Sequence, residues 1–497
     1  MLVLFSMLTF GCHNDGASQT MPINTVVDFQ YKSTIAIGGK GAAEVSAYDV
    51  VSKRLFITNS DSNVISVYNI ENLEAPVQES AIVLSIYGSP NSVAVRNGKL
   101  AVAVEAPVKQ DLGKVLIYNT SSLALQREYV VGALPDMVAF SKDGNILVSA
   151  NEGEPNEDYT IDPAGSVSII DLRNDTVSTL GFEAFNSQET ILETQGFRVF
   201  GPGADLAKDV EPEYVAISED SQTAWVSLQE NNGMAKVNLM TKTIDAIYPL
   251  GFKDYNQPGN EIDASDKDFE TTLKSWNVKG IYQPDAIVAV KIGGVEYVIS
   301  ANEGDSRDYD GFSEERRVAN LTLDTSVYPM YGDFQNKINL GRLKTTTTLG
   351  DVDGDGDVDQ IYSYGARSFS IWSANGNLVY DSGNSISTET LATTPSRFND
   401  ADKRSDDKGA EPESVAVLNL GDQRYILFVG LERTDQVMVY DVTNPLAPTF
   451  LTILSHNGDE APEGLLVIPA NQSPTGNDLL VVSNEDSGTV SFYENKQ

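Results

Sequence analysis

The stretch Ser92–Glu105 reads SVAVRNGKLAVAVE. Two alternating apolar runs flank Asn97-Gly98. That dipeptide is the strongest short signal for a two-residue hairpin, because both central positions must take positive φ. Just upstream stands Ser89-Pro90-Asn91, and the same head recurs along the chain as Pro-acid-x-Val-Ala. Clear copies are LPDMVAF from Leu134, EPEYVAI from Glu211, QPDAIVAV from Gln283 and EPESVAV from Glu411. Looser ones are SPNSVAV from Ser89, APEGLLVI from Ala461 and AEVSAYDV from Ala43, which makes seven.

Each head opens a hairpin, as in VAFSKDGNILVSANE and VAVKIGGVEYVISANE. A third strand follows in most units (NVISVYNI, KVLIYNT, SVSIIDL, FSIWSA, QVMVYDV, TVSFYE), and a less regular fourth, such as QREYVVG, leads to the next head. Four strands per unit and a period of about 45 to 50 residues predict an all-β fold, a seven-bladed β-propeller. The last unit has only three strands. The N-terminal STIAIGG is expected to supply its fourth and close the ring, which removes exposed strand edges.

In a propeller the first strand of each blade lines the central channel. The head acid precedes that strand, and strand two returns to the same face. The heads are Glu44, Asn91, Asp136, Glu213, Asp285, Glu413 and Glu463; the strand-two ends are Asp61, Glu105, Glu152, Glu230, Glu303, Glu432 and Glu485. About a dozen carboxylates are therefore expected round one mouth, where like charges need protons, basic partners or cations. Head acids serving only as backbone staples between blades are the structural alternative. It accounts less well for two related phrases, SANEGEPNEDYTIDPAG (Ser149–Gly165) and SANEGDSRDYDG (Ser300–Gly311), whose acids continue past the strand. The expected cation ligands at the mouth are Glu152, Glu154, Glu213, Glu303, Asp305, Glu413, Glu463 and Glu485. Oxygen ligands at this density suit Ca²⁺, with Mg²⁺ or Mn²⁺ as a second divalent metal.

Long insertions, about 153–208, 240–281 and 306–408, leave from the same face, where long loops commonly build a site or its lid. They carry Arg307, Arg316, Arg317 and Arg367. Of these, Arg307 and Arg367 are the expected anion holders, through bidentate geometry. The longest insertion also contains DVDGDGDVD. Asp351, Asp353 and Asp355 before Gly356 match the first half of a calcium loop, with Asp357 and Asp359 beyond. The twelfth position is Tyr362 and no helices flank the loop, so it is not a full EF-hand.

The 497 residues carry 71 acids against 34 bases, a net charge of −37. Such a surface is a poor partner for nucleic acid and favours cations, or anions held through cations. With two histidines, His13 and His456, a histidine-rich zinc site is excluded. His456 is the one base left for a Ser-His-Asp triad. No phosphate-cradling glycine loop stands between a strand and a helix. One cysteine, Cys12, precludes an intrachain disulfide. It ends MLVLFSMLTFGC, which resembles a bacterial lipoprotein signal and is too short to span a bilayer. Residues 1–24 are thus read as a signal and tether lipidated at Cys12, and 25–497 as one propeller domain, monomeric and exported to the cell envelope or surface.

Ser149–Leu172, Ser300–Val318, GARSFSIW (Gly365–Trp372), GDEAPEGLLVI (Gly458–Ile468) and LLVVSNEDSGTVSFYE (Leu479–Glu494) resemble the choice-of-anchor I family. These are bacterial relatives of mesenchyme-specific cell-surface glycoproteins associated with biomineral deposition, and the resemblance covers nearly everything after about Asp28. It implies export and a surface anchor, for which a lipid on Cys12 would serve. Two functions follow as expectations. In one, the acidic mouth loads Ca²⁺ and through it an anion such as phosphate, a carbonate mineral or an acidic polysaccharide. In the other, clustered cations activate water in a metal-dependent phosphoesterase, akin to alkaline phosphatases or phytases; the catalytic residues of such an enzyme are not legible.

Overall fold

Arg96 pairs with Lys99 across Asn97-Gly98, and both turn residues have positive φ, 49° and 72°. The Ser92–Glu105 hairpin therefore closes with a type I′ turn. The second glycine-built hairpin, Gly293-Gly294, is made likewise between Ile292 and Val295. These details come from a computed structural model that describes residues 26–421 and 423–496. Cys12, His13 and the tether lie outside the described residues.

The described chain forms seven four-stranded antiparallel sheets, each opened by one repeat head. The second sheet is typical: Pro90–Arg96, Lys99–Val104, Leu112–Asn119 and Leu125–Ala133. The first strands of successive sheets lie against one another, and the innermost strand of the seventh, Pro462–Ile468, packs on that of the first, Ser46–Asp49. The sheets thus stand in a closed ring, the architecture of a β-propeller. The ring closes as expected. Phe29–Ala36 is the outer strand of the last sheet and pairs antiparallel with Thr489–Asn495, joining residues more than 450 positions apart.

Alternation along the strands sends apolar side chains into the gaps between sheets, so every gap has its own core. Phe56 and Val67 of the first sheet meet Val102 and Leu116 of the second. Trp225 and Met234 of the fourth meet Val298 and Trp372 of the fifth. Phe492 of the seventh meets Leu55 and Ile57 of the first.

The insertion boundaries differ from expectation. The third and fourth strands of the fifth sheet, Ser368–Ser373 and Leu378–Asp381, fall inside 306–408, and those of the third sheet, Ser166–Asp171 and Thr176–Leu180, fall inside 153–208. Each of these stretches is therefore two excursions with strands between them. Parts of 252–361 build a small unit of their own, a three-stranded sheet with a core of Tyr255, Val278, Val318, Tyr328, Leu340 and Ile361.

Candidate functional site

The heads act through their prolines as well as their acids. Proline heads a strand without loss, since its missing N–H is not needed there. In four units the residue before it, Leu134, Gln283, Glu411 or Ala461, has φ between 43° and 57°, a conformation that disfavours most side chains. The bend turns that residue's carbonyl to the end of strand two. Glu152 N–H donates to Leu134 (2.9 Å), Gly304 to Gln283 (3.2 Å), Glu432 to Glu411 (3.0 Å) and Glu485 to Ala461 (2.8 Å). Glu105 makes the same bond to Ser89 (3.0 Å). In these five units the staple brings the head beside the strand-two end of its own sheet.

All seven heads line one cavity of about 640 Å³ at the mouth of the ring, together with Glu105, Glu152, Glu230 and Glu303 from strand-two ends. Glu154 and Asp305 also line it. Of the expected cation ligands, Glu152, Glu154, Glu213, Glu303, Asp305, Glu413 and Glu463 are brought together. Glu485 lies outside, beside Lys40 (3.8 Å), and Asp61 and Glu432 are not in the lining. Lys109, Gln229 and Tyr214 are lining residues that the repeat pattern did not single out.

The carboxyls are crowded and largely shielded from water. Burial, with neighbouring acids adding to it, pushes Asp136 up to about 7, and burial does the same to Glu44. Glu303 is pushed up to about 8, again chiefly by burial, although Lys408 opposes the shift. Glu152, Glu213, Glu230, Glu413 and Glu463 are all held well above the ordinary carboxylate range by burial and by one another. Among the described residues the carboxyls of Asp136, Glu213, Glu413 and Glu463 accept no backbone N–H, so these four heads are not backbone staples, whereas the carboxyl of Asp285 accepts the N–H of Ala286. Glu230 is 8% exposed, and its Oε2, like that of Glu213, is buried with no hydrogen-bond partner. Asp285, Glu303 and Glu413 each place an oxygen within 4.8 Å of the other two.

The two similar acidic phrases are explained by two devices. Ser-Ala-Asn is a buried hydrogen-bond network. Asn302 accepts from Ser300 Oγ (2.7 Å) and donates to Ser368 and Ser370 on strand three (3.1 and 2.8 Å). Asn151 donates likewise to Ser166 and Ser168. Glu-Gly then carries the chain out over the mouth, where Gly153 and Gly304 pack so closely on Gly165 and Gly365 that a Cβ would meet backbone. Beyond them the two loops dock on each other. Gly311 N–H donates to the carbonyl of Glu157 (2.8 Å), and the rings of Tyr159 and Tyr309 meet edge to face at 5.7 Å.

Arg307 and Arg367 are placed differently from the anion-holding role expected of them. Arg307 is 2% exposed and grips Asp209 (2.6 Å) and Glu211 (3.0 Å). Arg367 donates to the carbonyls of Asp263, Ser405 and Asp407. Both are internal ties, and so is the buried Arg198, which pairs with Glu314 and donates to the carbonyl of Glu230 (2.9 Å). Arg317 pairs with Asp406 (2.6 Å). Of the cations at the mouth, Lys109 belongs to the lining itself, and Lys408 reaches a lining carboxylate, 2.6 Å from Glu303. His456 stacks on Tyr31 (3.8 Å between centroids) and is not part of the lining.

In the DVDGDGDVD loop the acids divide. Asp351, Asp353 and Asp355 gather their oxygens within 4.8 Å, while Asp357 and Asp359 gather with Asp324, a residue outside the motif. Asp351 accepts the N–H groups of Gly354, Asp355 and Gly356, and Asp359 that of Val352. The loop is thus curled round its first aspartate and exposed there.

A family model for the choice-of-anchor I domain matches residues 44–445. Gigasin-3a of Magallana gigas is 35% identical over 188 residues, 32% of this chain. The chain spans 66% of the length of that relative. Among solved structures, the β-propeller domain of a Myceliophteria thermophila protein is 7% identical with a TM-score of 0.48, covering 94% of this chain and 100% of its own. A streptogramin B lyase is 9% identical with a TM-score of 0.48, covering 93% and 98%. Among the described residues no helix is long and apolar enough to cross a membrane.

Proposed function

Because this chain belongs to the choice-of-anchor I domain family, we propose that it is a cell-surface, seven-bladed propeller whose channel mouth takes up divalent cations, calcium first. Through those cations it holds an anionic ligand: phosphate, a carbonate mineral or an acidic polysaccharide. The observation that carries this reading is the convergence of all seven repeat heads on one cavity that leaves carboxyl oxygens of Glu213 and Glu230 buried and unpartnered. A buried carboxylate without a partner is costly, and a hard cation with six to eight oxygen ligands relieves several at once. Mg²⁺ or Mn²⁺ would fill a second position. The exposed aspartate loop at Asp351–Asp359 is a separate calcium site that stiffens the insertion. Lipidation of Cys12 is the proposed anchor. A metal-dependent phosphoesterase is the less favoured reading, because Arg307 and Arg367, which would hold the phosphate, have internal partners.

The test is thermal unfolding of the chelator-stripped full chain with and without Ca²⁺. Binding to the folded state adds about 2.7 kcal/mol at a hundredfold excess over Kd. The melting temperature is expected to rise in wild type and in an Asp353→Asn, Asp355→Asn variant, and to respond much less in Glu213→Gln, Glu413→Gln. A response that vanishes with the loop aspartates and survives the mouth substitutions would overturn the reading.

A further inference from the structure

Lys408 is held by an unusual loop. Asn399, Asp400, Ala401 and Asp402 form four successive left-handed residues, with φ from 44° to 76°. Single residues visit that region, but a run of four non-glycines is costly, and such strain persists only where the surroundings impose it. Here they do. Asn399 Nδ2 donates to Ser405 Oγ (3.0 Å), and Arg367 clamps the carbonyls of Ser405 and Asp407, both just before Lys408 in the turn closed by Gly409 N–H on the carbonyl of Arg404. Gly409 packs against that arginine so closely that a Cβ would lie 3.0 Å from its Cδ. The backbone that carries Lys408 is therefore fixed, and the side chain reaches inward. Its ammonium lies 2.6 Å from Glu303 Oε1, 3.5 Å from Asp305 and 3.6 Å from Glu411.

Glu303 is also one of the three carboxylates whose oxygens converge within 4.8 Å, with Asp285 and Glu413. That spacing fits oxygens sharing one ion at about 2.3–2.6 Å. Glu413 is 8% exposed, and the unpartnered Oε2 of Glu230, also 8% exposed, belongs to the same cavity. Resting on the proposed reading of the mouth, we infer that a divalent cation sits among Asp285, Glu303 and Glu413, and that Lys408 is a tethered ammonium that competes with it for Glu303. When the ion enters, the ammonium gives up Glu303 and stays on Glu411 and Asp305, both already within 3.6 Å. An attached competitor weakens the site at every cation concentration. It keeps the affinity in the range of extracellular calcium modules, roughly 10⁻⁴ to 10⁻³ M, where a bare cage of carboxylates would bind far more tightly. Arg367 is a positioning residue in this scheme, since it acts on the cation only through the loop that carries Lys408.

Calcium titration calorimetry on the chelator-stripped full chain decides the matter, in a background of Asp353→Asn and Asp355→Asn that silences the exposed loop. Lys408→Met is expected to tighten Ca²⁺ binding about tenfold or more, as expected for removing a unit charge that close, and Lys408→Arg to leave it near the parent value. Lys408→Gln, which keeps a donor and loses the charge, is expected to behave like Lys408→Met and serves if that variant does not fold. Unchanged or weaker binding in the neutral variants overturns the competitor while leaving the mouth as a cation site. Absence of binding in parent and variants alike overturns both.

Discussion

Arg307 stands between two loops, and its guanidinium is the only cation within ion-pairing distance of Asp209 and Glu211 among the described residues. All three side chains are at most 7% exposed. Removing one member of a buried ion group leaves the others uncompensated, a loss of about 3–5 kcal/mol. Arg307→Met is therefore expected to destabilise the chain by that amount in urea unfolding, and Arg307→Lys to recover only part, since lysine cannot reproduce the fork. A loss near zero would mean that water reaches the pair. This role was not legible in the sequence. Asp209 lies 98 residues before Arg307, and an arginine beside an acidic loop looks the same whether it faces out or in. The Ser-Ala-Asn phrase shows the reverse case. Its repetition was plain, but its purpose emerged only from the partner serines, Ser368 and Ser370, a third strand away. Asn302→Ala removes both of those bonds and the acceptor for Ser300, in a site without water access. It is expected to cost about 2–3 kcal/mol, read as a lowered unfolding midpoint.

At the level of elements the repeat was the most readable feature. Hairpin turns, head prolines and period two are all local rules, so they survive in every unit. The closing strand was legible for a different reason: the last unit was one strand short. Phe29–Ala36 now gives a direct check. It pairs along the whole of Thr489–Asn495 and sets Phe29 edge to face on Phe428 of the neighbouring sheet at 5.0 Å. A chain begun after Ala36 would leave an open, apolar edge. It is expected to unfold at lower temperature than the full chain and to form higher-order species in size-exclusion chromatography. A truncated chain as stable and monodisperse as the parent would show that closure does not depend on this strand. The loop that presents Lys408 was illegible on the same grounds. No local preference predicts four left-handed residues in Asn399–Asp402, and DKRSDDKGAE reads as a solvated run of mixed charge. Only the grip of Arg367, set by tertiary packing, makes it otherwise.

Across the whole molecule, the acids fall into two populations with opposite effects on stability. Exposed or paired acids such as Asp171, held below its ordinary value of 3.8 first by its hydrogen bonds from Arg173, contribute stability that is lost only as pH falls below that value. The mouth acids do the opposite. Glu44 and Asp136 are pushed up to about 7 and Glu303 to about 8, against ordinary values of 4.5, 3.8 and 4.5. The folded chain then holds more protons than the unfolded one, so stability falls as pH rises. The contribution is whole below the unfolded values and is lost as pH passes through the folded ones, a window from about 4 to about 8 that the low-lying acids do not enter. In chelator, the melting temperature is therefore expected to fall steadily from about pH 5 to about pH 8. Calcium supplies at high pH the positive charge that protons supply at low pH, so with saturating Ca²⁺ the same profile is expected to flatten. The stabilisation by calcium should then grow with pH, and calcium binding near neutrality should release protons, measurable as a heat that varies with the ionisation enthalpy of the buffer. A profile that rises with pH in chelator would mean that the mouth carboxylates are ionised and paired before any cation arrives, and that the convergence of the seven heads serves the ring rather than a ligand.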